Sequence, residues 1–355
     1  MSSRPSGTLP VSASAHHAPH RPFTLPAAWQ RHAGLLTLLA AIFIWGCNWP
    51  VMKAGLGHVT PIWFSALRFA TGGLCLFAIQ IAGGTLKLPT RRDWPLLASI
   101  GLLQMMAFTV LGAIAMTQVP AGRSAVLAYT TPLWVTPIAV LVFGERLSRL
   151  QTAGLLLGLL GLVVLFNPLA MDWSDSAGVQ ANLMLMGASF LWGMTILHLR
   201  YYKGDSSAYQ LAPWQMLVAT VPLLALAYVV EGSFTGDGSW ALWEIVLYVG
   251  PVATAFCFCA VNAASMHLSA TRMSTAMLGV PLIGLVASTV FLGESLSLSL
   301  VLGGLGIVGG IAVVSLGARR TPASTSALAS TPASAPPPAP AMAAAHTQAP
   351  VAHPR

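Results

Sequence analysis

The feature that most restricts this chain is a succession of ten apolar runs, each about 20 residues long, with almost no charge inside them. They lie near 34–52, 61–82, 94–117, 121–143, 150–168, 180–200, 210–230, 241–265, 270–292 and 297–317. About 20 residues of helix rise roughly 30 Å, the thickness of a bilayer's hydrocarbon core. Backbone groups in that core must be satisfied within the segment, which helices of this length achieve. Charged residues are 7% of the 355, against about 25% in water-soluble proteins. So few cannot cover a surface that faces water. The sequence predicts an all-α polytopic membrane protein with ten transmembrane helices.

Two flanking stretches differ in kind. Residues 1–33 are rich in Ser, Pro and His, and 318–355 in Ala, Pro, Ser and Thr. Neither holds enough apolar surface to form a core, and both are predicted to be disordered cytoplasmic tails. The first apolar run begins near Gly34, late for a cleavable leader, and continues into a full span.

Lys and Arg set the orientation. With the N-terminus inside, 14 of the 17 basic residues fall in inner segments, and only Lys53, Arg68 and Arg123 lie in the outer half. Six of the nine acids fall outside: Asp172, Asp175, Glu231, Asp237, Glu244 and Glu294. Basic residues spread singly or in pairs between apolar runs orient a membrane protein, so the net charge of +8 is not read as a nucleic-acid surface. Cys47, Cys75, Cys257 and Cys259 all lie inside apolar runs and read as small buried hydrophobes. No metal or cofactor is implied, and no phosphate-binding G-x-x-x-x-G-K-[ST] pattern occurs.

The chain repeats itself. LVFGERLS at 141–148 returns as VFLGESLS at 290–297. A shift of 149 aligns Arg123 with Arg272, Pro132 with Pro281, and Gly144-Glu145 with Gly293-Glu294. A shift of 147 aligns Trp45-Gly46 with Trp192-Gly193, Lys53 with Arg200 and Arg68 with Gln215. The halves are 34–168 and 180–317. Each holds an odd number of spans, so the second enters the membrane from the opposite side. Two inverted five-helix repeats can exchange inward-open and outward-open shapes around a central site.

The ten spans, WGCNWPVMKAG at 45–55, ALRFATGGL at 66–74 and the two Gly-Glu-x-Leu-Ser endings resemble the drug/metabolite transporter superfamily. More narrowly they are similar to its ten-span EamA-type exporters, over about residues 34–317. That resemblance implies a multi-pass carrier of small organic solutes in the plasma membrane, with export as its direction. It also implies a basic residue at the position of Lys53.

Arg68 is the sharpest single signal. It sits about 10 Å into its span at 1.5 Å per residue, where arginine costs roughly 2.5–3.5 kcal/mol to insert. Its donor fork suits a carboxylate or a set of backbone carbonyls, so it reads equally as a substrate or gating contact in the cavity and as a snorkelling residue or a structural bond to a neighbouring helix end. Lys53 ends the first span, where it can complement the helix C-terminus or reach a substrate. Trp45, Asn48, Trp49 and Met52 are spaced i, i+3, i+4, i+7 and so share one helix face. Gln104 and Phe108, Tyr129, Thr130 and Trp134, Ser189 and Trp192, Trp214 and Gln215, and Asn262 join them as candidates for a cavity with aromatic and amide walls. Any single tryptophan among them is better explained by packing than by ligand contact; the set argues for a cavity.

Pro132 and Pro281 occupy equivalent places and are expected to mark bends about which the halves open. Glu145 and Glu294 end their helices, where the dipole disfavours an anion. They are expected to lock the tight turns into the following spans. Glycines at 154, 158, 161, 303, 304, 306, 309 and 310 make spans five and ten small-faced, for close packing or for pairing two copies as a homodimer.

No Asp or Glu falls in the middle of a span, which disfavours a buried carboxylate relay. The sequence is read as a secondary transporter of amino acids or related amphipathic solutes, in a bacterial inner membrane, with both termini cytoplasmic. A membrane-embedded enzyme acting on lipid or lipid-linked substrates is the alternative. Such an enzyme needs clustered acids or histidines, and only Asp172 and Asp175 lie close together on an outer loop.

Overall fold

The computed structural model describes residues 27–166, 173–265, 273 and 276–320. Most of both tails, Asp172, His267, Ala270 and Arg272 lie outside the described residues. Ten helical segments follow in order: α1 (Ala27–Gly55), α2 (Pro61–Ala82), α3 (Arg91–Gln118), α4 (Ala121–Phe143), α5 (Arg149–Phe166), α6 (Ser176–Tyr201), α7 (Ala208–Glu231), α8 (Trp240–Ala264), α9 (Gly279–Leu292) and α10 (Leu298–Arg320). Eight are long and apolar enough to cross a membrane; α5 and the described part of α9 are shorter.

The repeated sequence motif has a local physical meaning. Gly144 and Gly293 both take φ +67°, the left-handed conformation that ends a helix and favours glycine. Ser148 and Ser297 then start the next helix. The Ser148 hydroxyl accepts from the amide of Gln151 at 3.2 Å, and Ser297 does the same for Leu300. Between them stands the glutamate, and its partner is not in the turn. The carboxylate of Glu294 accepts from the amides of Ala121 (2.6 Å) and Gly122 (2.9 Å), capping α4 in the other half. Glu145 pairs with Arg200 (2.8 Å) and accepts from the Tyr201 hydroxyl (2.5 Å), at the end of α6. The expected locks on the adjoining turns are thus ties between halves. A helix N-terminus or a cation offsets the cost of an anion at a helix C-terminus.

The halves interlock. α1 packs on α8 and α9, α2 on α7 and α8, α3 on α6 and α7, and α4 on α6 and α9. Exchanging the repeats maps this set of neighbours onto itself. The glycines of α5 and α10 meet each other. A β-carbon on Gly154 would stand 2.7 Å from the Gly310 carbonyl, and one on Gly161 would stand 2.8 Å from that of Gly303. The small-residue stripe is therefore filled within one chain, and a homodimer would need another surface.

Two of the described segments widen into π-helix. Ser99–Ala107 in α3 and Tyr248–Phe256 in α8 are π-helical. They are related by the 149-residue shift. Each contains a glycine at a close crossing: a β-carbon on Gly101 would come within 2.9 Å of the Gln215 carbonyl, and one on Gly250 within 2.8 Å of that of Arg68. In α4 the helix breaks at Tyr129–Thr130 and restarts at Thr131. Pro132 lies in the first turn of the restarted helix, where its missing N–H has no intrahelical partner to lose. Pro281 holds the equivalent place, in the first turn of α9.

Candidate functional site

A cavity of about 120 Å³ lies where α1, α2, α3, α4, α6 and α8 face one another. The α1 face supplies Trp45, Asn48, Trp49 and Met52, as their spacing requires. Arg68 comes from α2, Gln104 and Phe108 from α3, Tyr129 from the break in α4, Trp192 from α6, and Thr254 from the π-helical part of α8. The cavity is lined mainly by apolar surface.

Those polar groups are few and specifically joined. The Arg68 Nε donates to the Thr254 hydroxyl at 2.7 Å, and that hydroxyl donates to the Val249 carbonyl at 2.7 Å. Val249 lies five residues back, so the widened turn of α8 is what aims Thr254 at Arg68. A second guanidinium nitrogen, Nη1, donates to the Met52 sulfur at 3.3 Å. The Asn48 Nδ2 donates to the same sulfur at 2.9 Å. The other amide atom, Asn48 Oδ1, is buried and has no hydrogen-bond partner. Among the described residues no ion pair includes Arg68. Among the described residues Arg68 thus has no carboxylate partner, and Asn48, which shares the Met52 sulfur with it, keeps an unpartnered acceptor.

The remaining wall is aromatic. Trp192 sits edge-on between Phe108 and Tyr129, with ring centroids 5.0 and 5.5 Å away. The Trp45 indole is fixed by donating to the Ala253 carbonyl at 2.7 Å. Tyr129 and Trp192 have a second role, because they also wall a larger space of about 440 Å³ that reaches Glu145, Gln151 and Arg200. The two rings are thus common to both spaces.

Seven of the eleven cavity candidates meet here: Trp45, Asn48, Trp49, Arg68, Gln104, Tyr129 and Trp192. Four lie elsewhere. Lys53 donates to the carbonyls of Met116 and Val119 (3.2 Å for Val119), at the C-terminus of α3. There it complements the dipole of α3 rather than that of its own helix. The Trp134 indole packs edge-on against Phe190. Gln215 is buried where α7 crosses Gly101. Asn262 donates back to the Phe258 carbonyl in its own helix. Trp214, also a candidate, donates to the Lys87 carbonyl at 2.9 Å. Sequence reasoning missed Thr254 and Phe258. The Gly250-Pro251 pair inside an apolar run was the available signal, since it marks irregular backbone.

The Glu294 side is tied by further contacts. Glu231, ending α7, accepts from the amides of Ile62 (2.9 Å) and Trp63 (3.0 Å), capping α2. In the adjoining loops His58 Nδ1 donates to Asp237 at 2.7 Å. That bond, with the backbone amide of Ser239, holds the Asp237 carboxyl well below its ordinary range, at about 2.

Comparison with known proteins agrees with this architecture. The model of the EamA-like transporter family matches twice, at residues 32–167 and 179–316. The chain is 27% identical over 280 residues to an uncharacterized transporter, YoaV, of Bacillus subtilis, covering 78% of this chain and 94% of that one. It is 26% identical to a probable amino-acid metabolite efflux pump of Salmonella typhimurium, covering 82% and 97%. One crystal structure of a protein aligns with a TM-score of 0.58 at 23% identity, over 80% of this chain and 98% of the other, which shows a shared fold. With both halves matched, this chain is a multi-pass membrane transporter, not an enzyme, and belongs to the EamA-like transporter family.

Proposed function

We propose that this transporter is a secondary carrier that exports amino acids or closely related amphipathic metabolites by alternating access. The observation that supports this most is the pairing in the cavity of Arg68, a cation with no carboxylate partner among the described residues, with the unpartnered Asn48 Oδ1. A zwitterion would complete both. Its carboxylate would accept from the guanidinium, and its ammonium would donate to Asn48. The side chain would lie against Trp45, Trp192 and Phe108. Two relatives add support: those named probable amino-acid metabolite efflux pumps, from Salmonella typhimurium and Escherichia coli, match over 82% of this chain.

Alternating access would exchange the side on which the cavity opens. The ties at Glu294, Glu231 and Lys53 hold one side, while Tyr129 and Trp192 stand towards the other. The concentration of Lys and Arg on the Glu145 side supports placing that side, and both termini with it, in the cytoplasm of a bacterial cell. Cells loaded with labelled amino acids test the direction. Faster release of one amino acid on expression of the wild type, and not of Arg68→Ala at equal membrane level, is the expected result. Equal release with and without the protein for every amino acid would refute it.

A further inference from the structure

The carboxylate site proposed above already contains an acceptor. The Met52 sulfur takes a hydrogen bond from Asn48 Nδ2 at 2.9 Å and from Arg68 Nη1 at 3.3 Å, so one thioether gathers donors from two helices. Met52 is buried, 5% exposed, and forms part of the cavity wall. We propose that Met52 sets the affinity of this carrier: in the empty cavity its sulfur occupies the donors that a substrate carboxylate takes, and binding displaces it. The inference rests on the reading of Arg68 as the carboxylate site.

Three physical points carry it. A thioether is a weak acceptor, whereas a carboxylate on guanidinium is among the strongest, so the exchange is downhill but smaller than binding to bare donors. Methionine is unbranched, with three rotatable bonds, so its sulfur can swing aside without moving α1. The arrangement is also confined to one half. The repeat mates of Met52 and Arg68 are Leu199 and Gln215, which supply neither sulfur nor cation. A carrier must release what it binds, and a built-in competitor for the same donors keeps affinity moderate without removing selectivity for a carboxylate.

The test is tracer counterflow in proteoliposomes with the wild type, Met52→Leu and Met52→Gln, using an amino acid that the wild type exchanges when all the common amino acids are screened. Leucine conserves volume and removes the acceptor. Glutamine replaces it with a stronger one, a carbonyl oxygen. The KM is expected to fall by about three- to tenfold in Met52→Leu and to rise by a similar factor in Met52→Gln, the range of one or two weak hydrogen bonds. Inhibition by the matching amine, which lacks the carboxylate, is expected to stay the same in all three. Should Met52→Leu fold poorly in detergent, the rise in Met52→Gln and its absence for the amine still decide the matter. Equal KM values in the variants, a rise in Met52→Leu, or a shift shared by the amine would overturn the proposal and leave Met52 as packing. A wild type that exchanges no amino acid would overturn the reading of Arg68 and this inference together, whereas exchange with KM values indifferent to Met52 would overturn this inference alone.

Discussion

Arg68 on α2 and Thr254 on α8 are joined by a 2.7 Å hydrogen bond, and the bond exists because α8 widens into a π-helix where Thr254 stands. A regular helix would rotate that hydroxyl away from the guanidinium. The local irregularity is thus part of the site, as π-turns often are.

Removing that acceptor is expected to misplace the cation without unfolding the protein. Thr254→Ala should raise the KM for a carboxylate substrate by about tenfold, the worth of one hydrogen bond to a charged group. Thr254→Ser should restore most of it. Counterflow kinetics separate the two variants.

Gly250 is placed by space rather than conformation. A β-carbon there would collide with the Thr71 hydroxyl and lie 2.8 Å from the Arg68 carbonyl. Gly250→Ala is expected to cost about 1–3 kcal/mol as overpacking. The loss should appear as a lower thermal midpoint in detergent, with Gly101→Ala behaving alike at the mate position.

Lys53 serves a different end. It is bonded to the last carbonyls of α3 and lies outside the cavity lining. Lys53→Met should lower stability by roughly 1 kcal/mol while the KM stays within about twofold of the wild type. A large rise in KM would place Lys53 on the transport path instead.

Glu294 holds α4 through two amides, and its loss leaves them unpaired. In a background with the four cysteines replaced, Thr109→Cys places a thiol in the cavity wall. Adding Glu294→Ala should speed its reaction with an impermeant thiol reagent supplied from the Glu294 side by about fivefold or more, for a loss of at least 1 kcal/mol in closure. An unchanged rate would deny Glu294 a part in closing that side.

The His58–Asp237 tie carries a pH signature. The folded Asp237 carboxyl is depressed to about 2. Its contribution is therefore complete above the unfolded value of about 3.9 and is lost as the pH falls through about 2. Thermal midpoints between pH 5 and 2 should fall more steeply for the wild type than for Asp237→Asn.

Much of this was legible because membrane helices write their length and faces directly into sequence. The α1 face at Trp45, Asn48, Trp49 and Met52 follows from periodicity alone, and the repeat from the two shifts. Other parts were illegible for physical reasons. The π-helices of α3 and α8 change the local period over nine residues each, too few to alter a pattern of uniformly apolar side chains. Glu145 and Glu294 have partners far away in sequence, and for Glu294 those partners are backbone amides, which leave no trace in side-chain identity. Lys53 carries the charge a substrate site would use, but a helix end claimed it first.

The most direct test of the central claim is tracer counterflow of amino acids in proteoliposomes containing the wild type or Arg68→Ala. Saturable counterflow of at least one amino acid, lost or shifted to a KM at least tenfold higher in Arg68→Ala, is the predicted result. Counterflow that survives the substitution with an unchanged KM, or none for any amino acid in the wild type, would contradict the account.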